Sequence, residues 1–126
     1  KGENKSEEYT KKFPFQKVPL LEKDGFTLSQ SAAILHYLAQ SSNQLYPTDA
    51  KDQAKHLEWM FFCMSDIEAH AAQIGVLMQM VEEKDRPHAQ WMVQRAERLI
   101  ARALDYLETH LNEKAYLMGD EFYAAD

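Results

Sequence analysis

The segment from residue 17 to residue 31 constrains the fold more than any other part of the chain; it reads KVPLLEKDGFTLSQS. Its Asp24-Gly25 pair is a strong signal for a two-residue hairpin turn, because that turn needs residues that accept positive φ angles. Short apolar stretches on both sides predict strands at Val18–Leu21 and Gly25–Leu28. The segment therefore predicts a β-hairpin that leads directly into a helix.

That helix is the second element of the N-terminal region. We predict Ser29 as its N-cap and an end near Gln40, with three large apolar residues on one face. Upstream, Ser6 precedes two glutamates and Pro14 stops a helix, which predicts a short helix that ends near Phe13. Residues 1–41 thus read as a mixed region of short helices and strands. The apolar residues of the helix face are Ile34, Leu35 and Leu38.

A helical region follows a polar connection. Residues 42–49 contain Pro47 and predict a linker, and residues 50–126 predict an all-helical domain. Apolar spacing predicts one long helix over Lys51–Met80 and a second helix, opened by Pro87, that ends near Leu111. The residues predicted to face inward are Leu57, Met60, Phe61, Met64, Ile67, Ala71 and Ile74 in the first helix, and Met92, Ala96, Leu99, Ala103, Tyr106 or Leu107, and Leu111 in the second.

The composition narrows the class of protein. The chain has 126 residues, a net charge of −6 and 45% hydrophobic residues, which is typical of a soluble globular protein. Scattered basic residues and the negative charge argue against nucleic-acid binding, and no apolar stretch is long enough for a membrane span. The lone Cys63 fits a reducing compartment, so we expect a cytoplasmic protein. The five histidines form no metal-binding pair, so no metal is expected.

Two short motifs could hold a ligand. If the Val18-Pro19 bond is cis, Val18 can offer its backbone N–H and C=O to an extended peptide, although an ordinary edge-strand proline gives the same sequence. The start of the second helix attracts a carboxylate, and Gln30 and Ser31 add polar side chains there. Taken alone, a helix cap followed by solvated residues is the simpler explanation of Gln30 and Ser31. Lys5 and Lys17 could meet a second carboxylate or could be solvated.

The aromatic and Met-rich stretch around Cys63 has two interpretations. Packing in a core is the simpler one, with Cys63 as a core residue and not a nucleophile. The same face could also line an apolar cleft or bind a partner.

In their order along the chain, these features resemble the glutathione transferase superfamily, in particular theta-like or related bacterial members. Residues 15–39 resemble the strand–turn–strand–helix unit of its thioredoxin-like domain, and the ending YLMGDEFYAAD resembles the entry to the buried helix of its helical domain. The resemblance implies an α+β thioredoxin-like N-terminal part, incomplete because its first strand and helix are lacking, followed by a truncated all-α domain.

The resemblance also implies roles for single residues. Val18 would pair with the cysteinyl backbone of glutathione, with Pro19 cis, while Gln30 and Ser31 would hold the γ-glutamyl end. Lys17 would approach the glycyl carboxylate. Two weaker glycyl contacts are implied, namely Lys5 and Asn4, the latter in place of the usual His.

Further implications concern the remaining parts of the protein. Asp126 would be the capping acid of the buried helix, where Tyr123 replaces the usual Ser or Thr of the cap. The catalytic residue, a Ser, Tyr or Cys, is unknown and expected upstream of Lys1.

The resemblance implies an enzyme that conjugates the thiol of glutathione, its co-substrate, to a small electrophile, as a homodimer. The alternative within the same fold is a non-catalytic interaction or assembly module. A third hypothesis is a helical docking protein that uses the Met and aromatic face.

Overall fold

The computed structural model describes residues 2–126, so Lys1, where the predicted first domain begins, lies outside the described residues. The chain forms two compact units, one that ends at Tyr46 and one from Pro47 to Asp126. This division falls inside the segment 42–49. The domain limits 1–41 and 50–126 stay predictions.

The first unit begins with short helical elements. A 3₁₀ turn, Glu3–Lys5, precedes helix α1, Glu7–Lys12. Ser6 caps α1, because its hydroxyl accepts a hydrogen bond from the Tyr9 N–H at 3.2 Å. The predicted cap is therefore confirmed. The helix ends two residues before Pro14, as the restriction on the residue preceding a proline requires.

The hairpin follows, with strand β1 at Leu20–Lys23 and strand β2 at Phe26–Ser29. The strands are antiparallel, and the connecting Asp24 and Gly25 have φ angles of 51° and 78°, so the predicted turn is confirmed. β1 starts two residues later than predicted, because Pro19 has no N–H to contribute to the ladder.

Helix α2 covers Ser31–Ser42. The prediction that Ser29 caps it is wrong, because Ser29 is the last residue of β2 and pairs with Leu20. Gln30 takes the N-cap position instead. Within α2, Ala39 is buried, whereas Leu35 and Leu38 are about half exposed.

The second unit is helical. Helix α3, Ala50–Phe62, continues through a π-helical segment, Cys63–Glu68, into helix α4, Ala69–Met80; a 3₁₀ turn, Glu83–Asp85, then leads to helix α5, Arg86–Leu111. The long helix predicted over Lys51–Met80 is confirmed as one helical path with a π interruption. The buried residues of the unit are Pro47, then His56, Trp59 and Met60 of α3, Ala96 and Ala103 of α5, and Ala125.

Three residues predicted to face inward on this helical path are exposed. The Cys63 N–H still bonds to the Trp59 C=O, as in an α-helix, so Cys63 continues the register of α3, but its side chain lines a cleft with Leu107 and Leu111. Cys63 is exposed, and its prediction as a core residue is wrong. Phe61 is 69% exposed and Ala71 is exposed, so these two predicted inward residues are wrong as well.

Aromatic rings gather between α3 and α5. The ring of the buried Trp59 lies 4.4 Å from that of His110 and 5.6 Å from that of Tyr106, measured between centroids. The other tryptophan, Trp91, is 63% exposed.

The end of the chain is tied together by Asp126. Its carboxylate accepts hydrogen bonds from the Leu117 N–H at 2.7 Å and the Tyr123 N–H at 2.9 Å. The second bond is the contact that a capping acid makes with the cap residue. The Tyr123 hydroxyl donates to Glu121 at 2.6 Å, which raises the pKa of Tyr123 above its ordinary value. Along residues 2–126 no helix has the length and hydropathy needed to cross a membrane.

Candidate functional site

The open end of the hairpin brings two of the predicted ligand-binding segments together. Leu20 pairs with Ser29 in the last rung of the ladder, farthest from the turn. Residues 18–19 directly precede this rung on one strand, and residues 30–31 directly follow it on the other. Because paired strands lie about 4.8 Å apart, the two segments emerge side by side. The candidate site is this end of the hairpin.

Val18 offers an unused stretch of backbone there. The Val18-Pro19 bond is cis, so the expected geometry is confirmed. The Val18 side chain is 69% exposed, and within residues 2–126 neither its N–H nor its C=O makes a hydrogen bond. An extended peptide can therefore pair with the backbone at Val18.

The start of α2 offers hydrogen-bond donors. Its first intrahelical bond runs from the Ile34 N–H to the Gln30 C=O at 2.9 Å, so the N–H groups of residues 31–33 have no partner inside the helix. The Gln30 side chain is exposed and makes no capping hydrogen bond, and Ser31 is half-buried. Unpaired N–H groups and the helix dipole favour a carboxylate at this position.

A loop next to Val18 is fixed by side chains of the preceding elements. The Asn4 amide donates to the Gln16 C=O at 2.6 Å, and the Tyr9 hydroxyl donates to the Lys17 C=O. The Gln16 amide in turn donates to the Thr10 hydroxyl at 2.9 Å. These bonds hold the backbone that leads into Val18.

Tyr9 and Gln16 are positioning residues that the sequence analysis missed. Each is a polar residue in or beside a short exposed helix, and such residues are normally solvated, so no pattern in the sequence singles them out. Asn4, predicted as a weak ligand contact, uses one of its two amide N–H donors in the hydrogen bond to the protein backbone.

The lysines near the site differ in their partners. Lys12 pairs with Glu22 of β1 at 3.0 Å, and this hydrogen bond and charge raise the pKa of Lys12. Lys5 and Lys17 are exposed and take part in no ion pair within residues 2–126. The Lys17 ammonium lies 4.8 Å from the centroid of the Phe15 ring, in a cation–π contact. This contact does not neutralise the positive charge, which can still attract an anionic group. Among the described residues no group of His, Cys, Asp and Glu could hold a metal ion.

Comparison with known proteins agrees with this geometry. The sequence model of the family "Glutathione S-transferase, N-terminal domain" matches residues 1–40. The glutathione S-transferase-like protein LUC7 of a Fusarium species is 37% identical over 98% of this chain. Residues 1–40 thus match the N-terminal domain family of the glutathione S-transferases, and the chain as a whole is similar to members of the glutathione transferase superfamily. A glutathione transferase of Burkholderia graminis, crystallised with two glutathione molecules per subunit, matches 98% of the chain with a TM-score of 0.85 and 27% identity.

The superfamily match extends over both units and confirms the predicted fold class, a thioredoxin-like N-terminal part followed by a helical part. The superfamily members compared are longer: the chain spans 57% of the Fusarium protein and 53% of the Burkholderia enzyme. Elongation factor 1-gamma-A of Xenopus laevis is also similar, at 32% identity over 98% of this chain and 27% of its own length. The proteins similar to this chain therefore include one that is not named as a transferase.

Proposed function

We propose that the chain forms the glutathione-binding part of a glutathione transferase, which conjugates the thiol of glutathione to a small electrophile. One observation carries the proposal: the unpaired backbone of Val18 and the unpaired N–H groups at the start of α2 emerge at the same end of the hairpin. An extended peptide with a terminal carboxylate fits both. The glutathione bound to the similar Burkholderia enzyme supports the same ligand class.

Each group of the site has a role in this proposal. The Val18 backbone pairs with the cysteinyl unit as an added strand would, next to Pro19. Ser31 and the first N–H groups of α2 receive the γ-glutamyl carboxylate, and the side-chain amide oxygen of Gln30 accepts from the γ-glutamyl ammonium. Lys17 faces the glycyl carboxylate. Lys5 and the remaining N–H of Asn4 give weaker support to that end.

These residues bind and orient the thiol, and the chemistry follows from that orientation. After the thiol has lost its proton to solvent, the glutathione thiolate attacks the electrophilic carbon of the second substrate; the C–S bond forms while the bond from that carbon to the leaving group breaks, and the leaving group departs with its electron pair, as chloride does from an aryl chloride. Orientation makes the attack effectively intramolecular. The group that favours the thiolate is not assigned to a residue of this chain, and no metal is part of the proposal. We further propose that the protein acts as a homodimer in the cytoplasm.

A non-catalytic assembly module is the second candidate. The similarity to elongation factor 1-gamma-A favours it, because that protein is 32% identical to this one over 98% of the chain. Such a module has no need for Gln30 and Ser31 as ligand contacts. The two candidates therefore differ in whether glutathione binds.

Isothermal titration of the full chain with glutathione tests the proposal. We expect saturable binding, and weaker binding of the α-linked Glu-Cys-Gly isomer, whose ammonium and carboxylate are arranged differently. No heat at millimolar glutathione would overturn the proposed site. Conjugation to 1-chloro-2,4-dinitrobenzene, measured on the longest natural form of the protein, then tests the reaction: conjugation supports the transferase, whereas binding without conjugation would overturn the proposed reaction and keep only the proposed site.

A further inference from the structure

A cleft of about 340 Å³ opens on the second unit, between the π-helical region and α5. Its volume is in the range of small-molecule sites. All of its lining residues belong to the helical unit, and none to the hairpin site. One wall is formed by Phe62, Asp66 and His70, and the other by Leu99, Arg102, Ala103 and Tyr106.

The two walls carry opposite charges that do not neutralise each other. Asp66 stands on the first wall and Arg102 on the second, and neither takes part in an ion pair within residues 2–126. The Asp66 carboxylate is oriented by the hydroxyl of Ser65, at 2.5 Å. An anionic group on one wall and a cationic group on the other are complementary to a ligand with both charges.

The uncharged part of the lining includes two aromatic rings. The rings of Phe62 and Tyr106 lie 5.4 Å apart between centroids. Leu99 and the buried Ala103 add apolar surface from α5. The π-helical segment supplies Asp66 and displaces it from the register of α3; such segments are frequent at functional sites.

We propose that this cleft binds a small zwitterion with an apolar side chain, that is, a free aromatic or large aliphatic amino acid. The Arg102 guanidinium receives the carboxylate in a two-pronged hydrogen bond, and Asp66 receives the ammonium. The side chain lies against the rings of Phe62 and Tyr106. This function is independent of glutathione binding at the hairpin.

Three probes that differ only in their charged groups test the proposal: L-phenylalanine, 3-phenylpropanoate and 2-phenylethylamine. Amide chemical shifts of the full chain are followed by NMR up to about 10 mM probe, which nearly saturates a site with a Kd of ~1 mM. We expect phenylalanine to bind most tightly and to shift the amides around Asp66 and Arg102. Absence of saturable shifts with phenylalanine would overturn the proposal.

Variants assign the two charges. Arg102→Gln should raise the Kd of phenylalanine and phenylpropanoate by about tenfold but leave the Kd of phenylethylamine unchanged, because one charged hydrogen-bond partner of the carboxylate is lost. Asp66→Asn should raise the Kd of phenylalanine and phenylethylamine and leave that of phenylpropanoate unchanged. Matched controls are Arg95→Gln and Glu68→Gln, which remove charges outside the lining of the cleft. If the control variants lost as much affinity, the effect would come from the general electrostatic field of the protein. That result would contradict the assignment of Arg102 and Asp66.

Discussion

Gln30 has a backbone conformation that L-residues rarely adopt, with φ 76° and ψ 119°. A glycine would be free of this strain, which costs about 1–3 kcal/mol for other residues. Gln30 sits between β2 and α2, at the point where the chain turns from the ladder into the helix. The strained backbone places an exposed amide side chain at the end of the hairpin, where it can contact a ligand.

The first prediction concerns this residue. Gln30→Gly should raise the unfolding free energy by about 1 kcal/mol, because relief of strain exceeds the added entropy of the unfolded chain. It should also weaken glutathione binding several-fold, because the amide is lost. Chemical denaturation and isothermal titration measure the two effects. Asn43→Gly is the matched control, since Asn43 has a φ of 51° at the other end of α2, away from the site; affinity should not change there.

Ser31 gives the second prediction at this scale. Ser31→Ala should weaken glutathione binding by about 1–2 kcal/mol, or roughly 5- to 30-fold in Kd, because a hydrogen bond to a charged group is lost. Ser41→Ala removes the same hydroxyl from the exposed C-terminal turn of α2 and serves as the control. A Kd that is equal in both variants would show that Ser31 is only structural.

At the scale of elements, α1 supports the hairpin site through a side chain. The Tyr9 hydroxyl holds the Lys17 C=O, one residue before Val18. Tyr9→Phe should therefore lower the unfolding free energy by about 1 kcal/mol, because one hydrogen bond is lost. It should also weaken glutathione binding, because the Lys17 C=O next to Val18 is no longer held in place. Urea unfolding and titration measure both quantities.

Tyr37→Phe is the control for Tyr9. Tyr37 packs on Phe26, with ring centroids 5.6 Å apart, and its hydroxyl makes no hydrogen bond within residues 2–126. Its loss should leave affinity unchanged. Loss of affinity in both variants would mean that α1 has no particular role in the site.

The elements show what the sequence could predict. The hairpin was predictable, because the conformational demands of Asp24-Gly25 are local. The N-cap of α2 was not, because one further residue, Gln30, stands between the end of β2 at Ser29 and the first residue of α2, and no local pattern marks this extra residue. The exposure of Cys63 could not be foreseen either, because it depends on the cleft that forms between residues distant in the sequence. At the site, Val18, Gln30 and Ser31 were named from local motifs, whereas Tyr9 acts through a contact eight residues away.

At the scale of the whole molecule, neighbouring phenylalanines separate internal packing from association. Phe62 packs against Trp59 at 5.6 Å, whereas Phe61 is 69% exposed. Phe62→Ala should lower the unfolding free energy by about 2 kcal/mol, roughly half the cost of a fully buried phenylalanine. Phe61→Ala should change stability by less than about 0.5 kcal/mol.

The same pair of variants tests the proposed homodimer. Exposed aromatic residues are enriched in interface cores, so Phe61→Ala should shift the sedimenting species from dimer to monomer. Analytical ultracentrifugation measures this shift, with Phe62→Ala compared at a temperature where it remains folded. A dimer that persists in Phe61→Ala would place Phe61 outside the interface.

The fluorescence of the two tryptophans can report separately on the interior and the surface of the helical unit. Trp59 is enclosed with its ring against His110, while Trp91 stands in solvent at the opposite end of α5. An aqueous quencher such as iodide reaches the indole of Trp91 and leaves the emission of Trp59. The residual blue-shifted signal follows the interior of the unit, and the quenched fraction follows its surface, without any added dye.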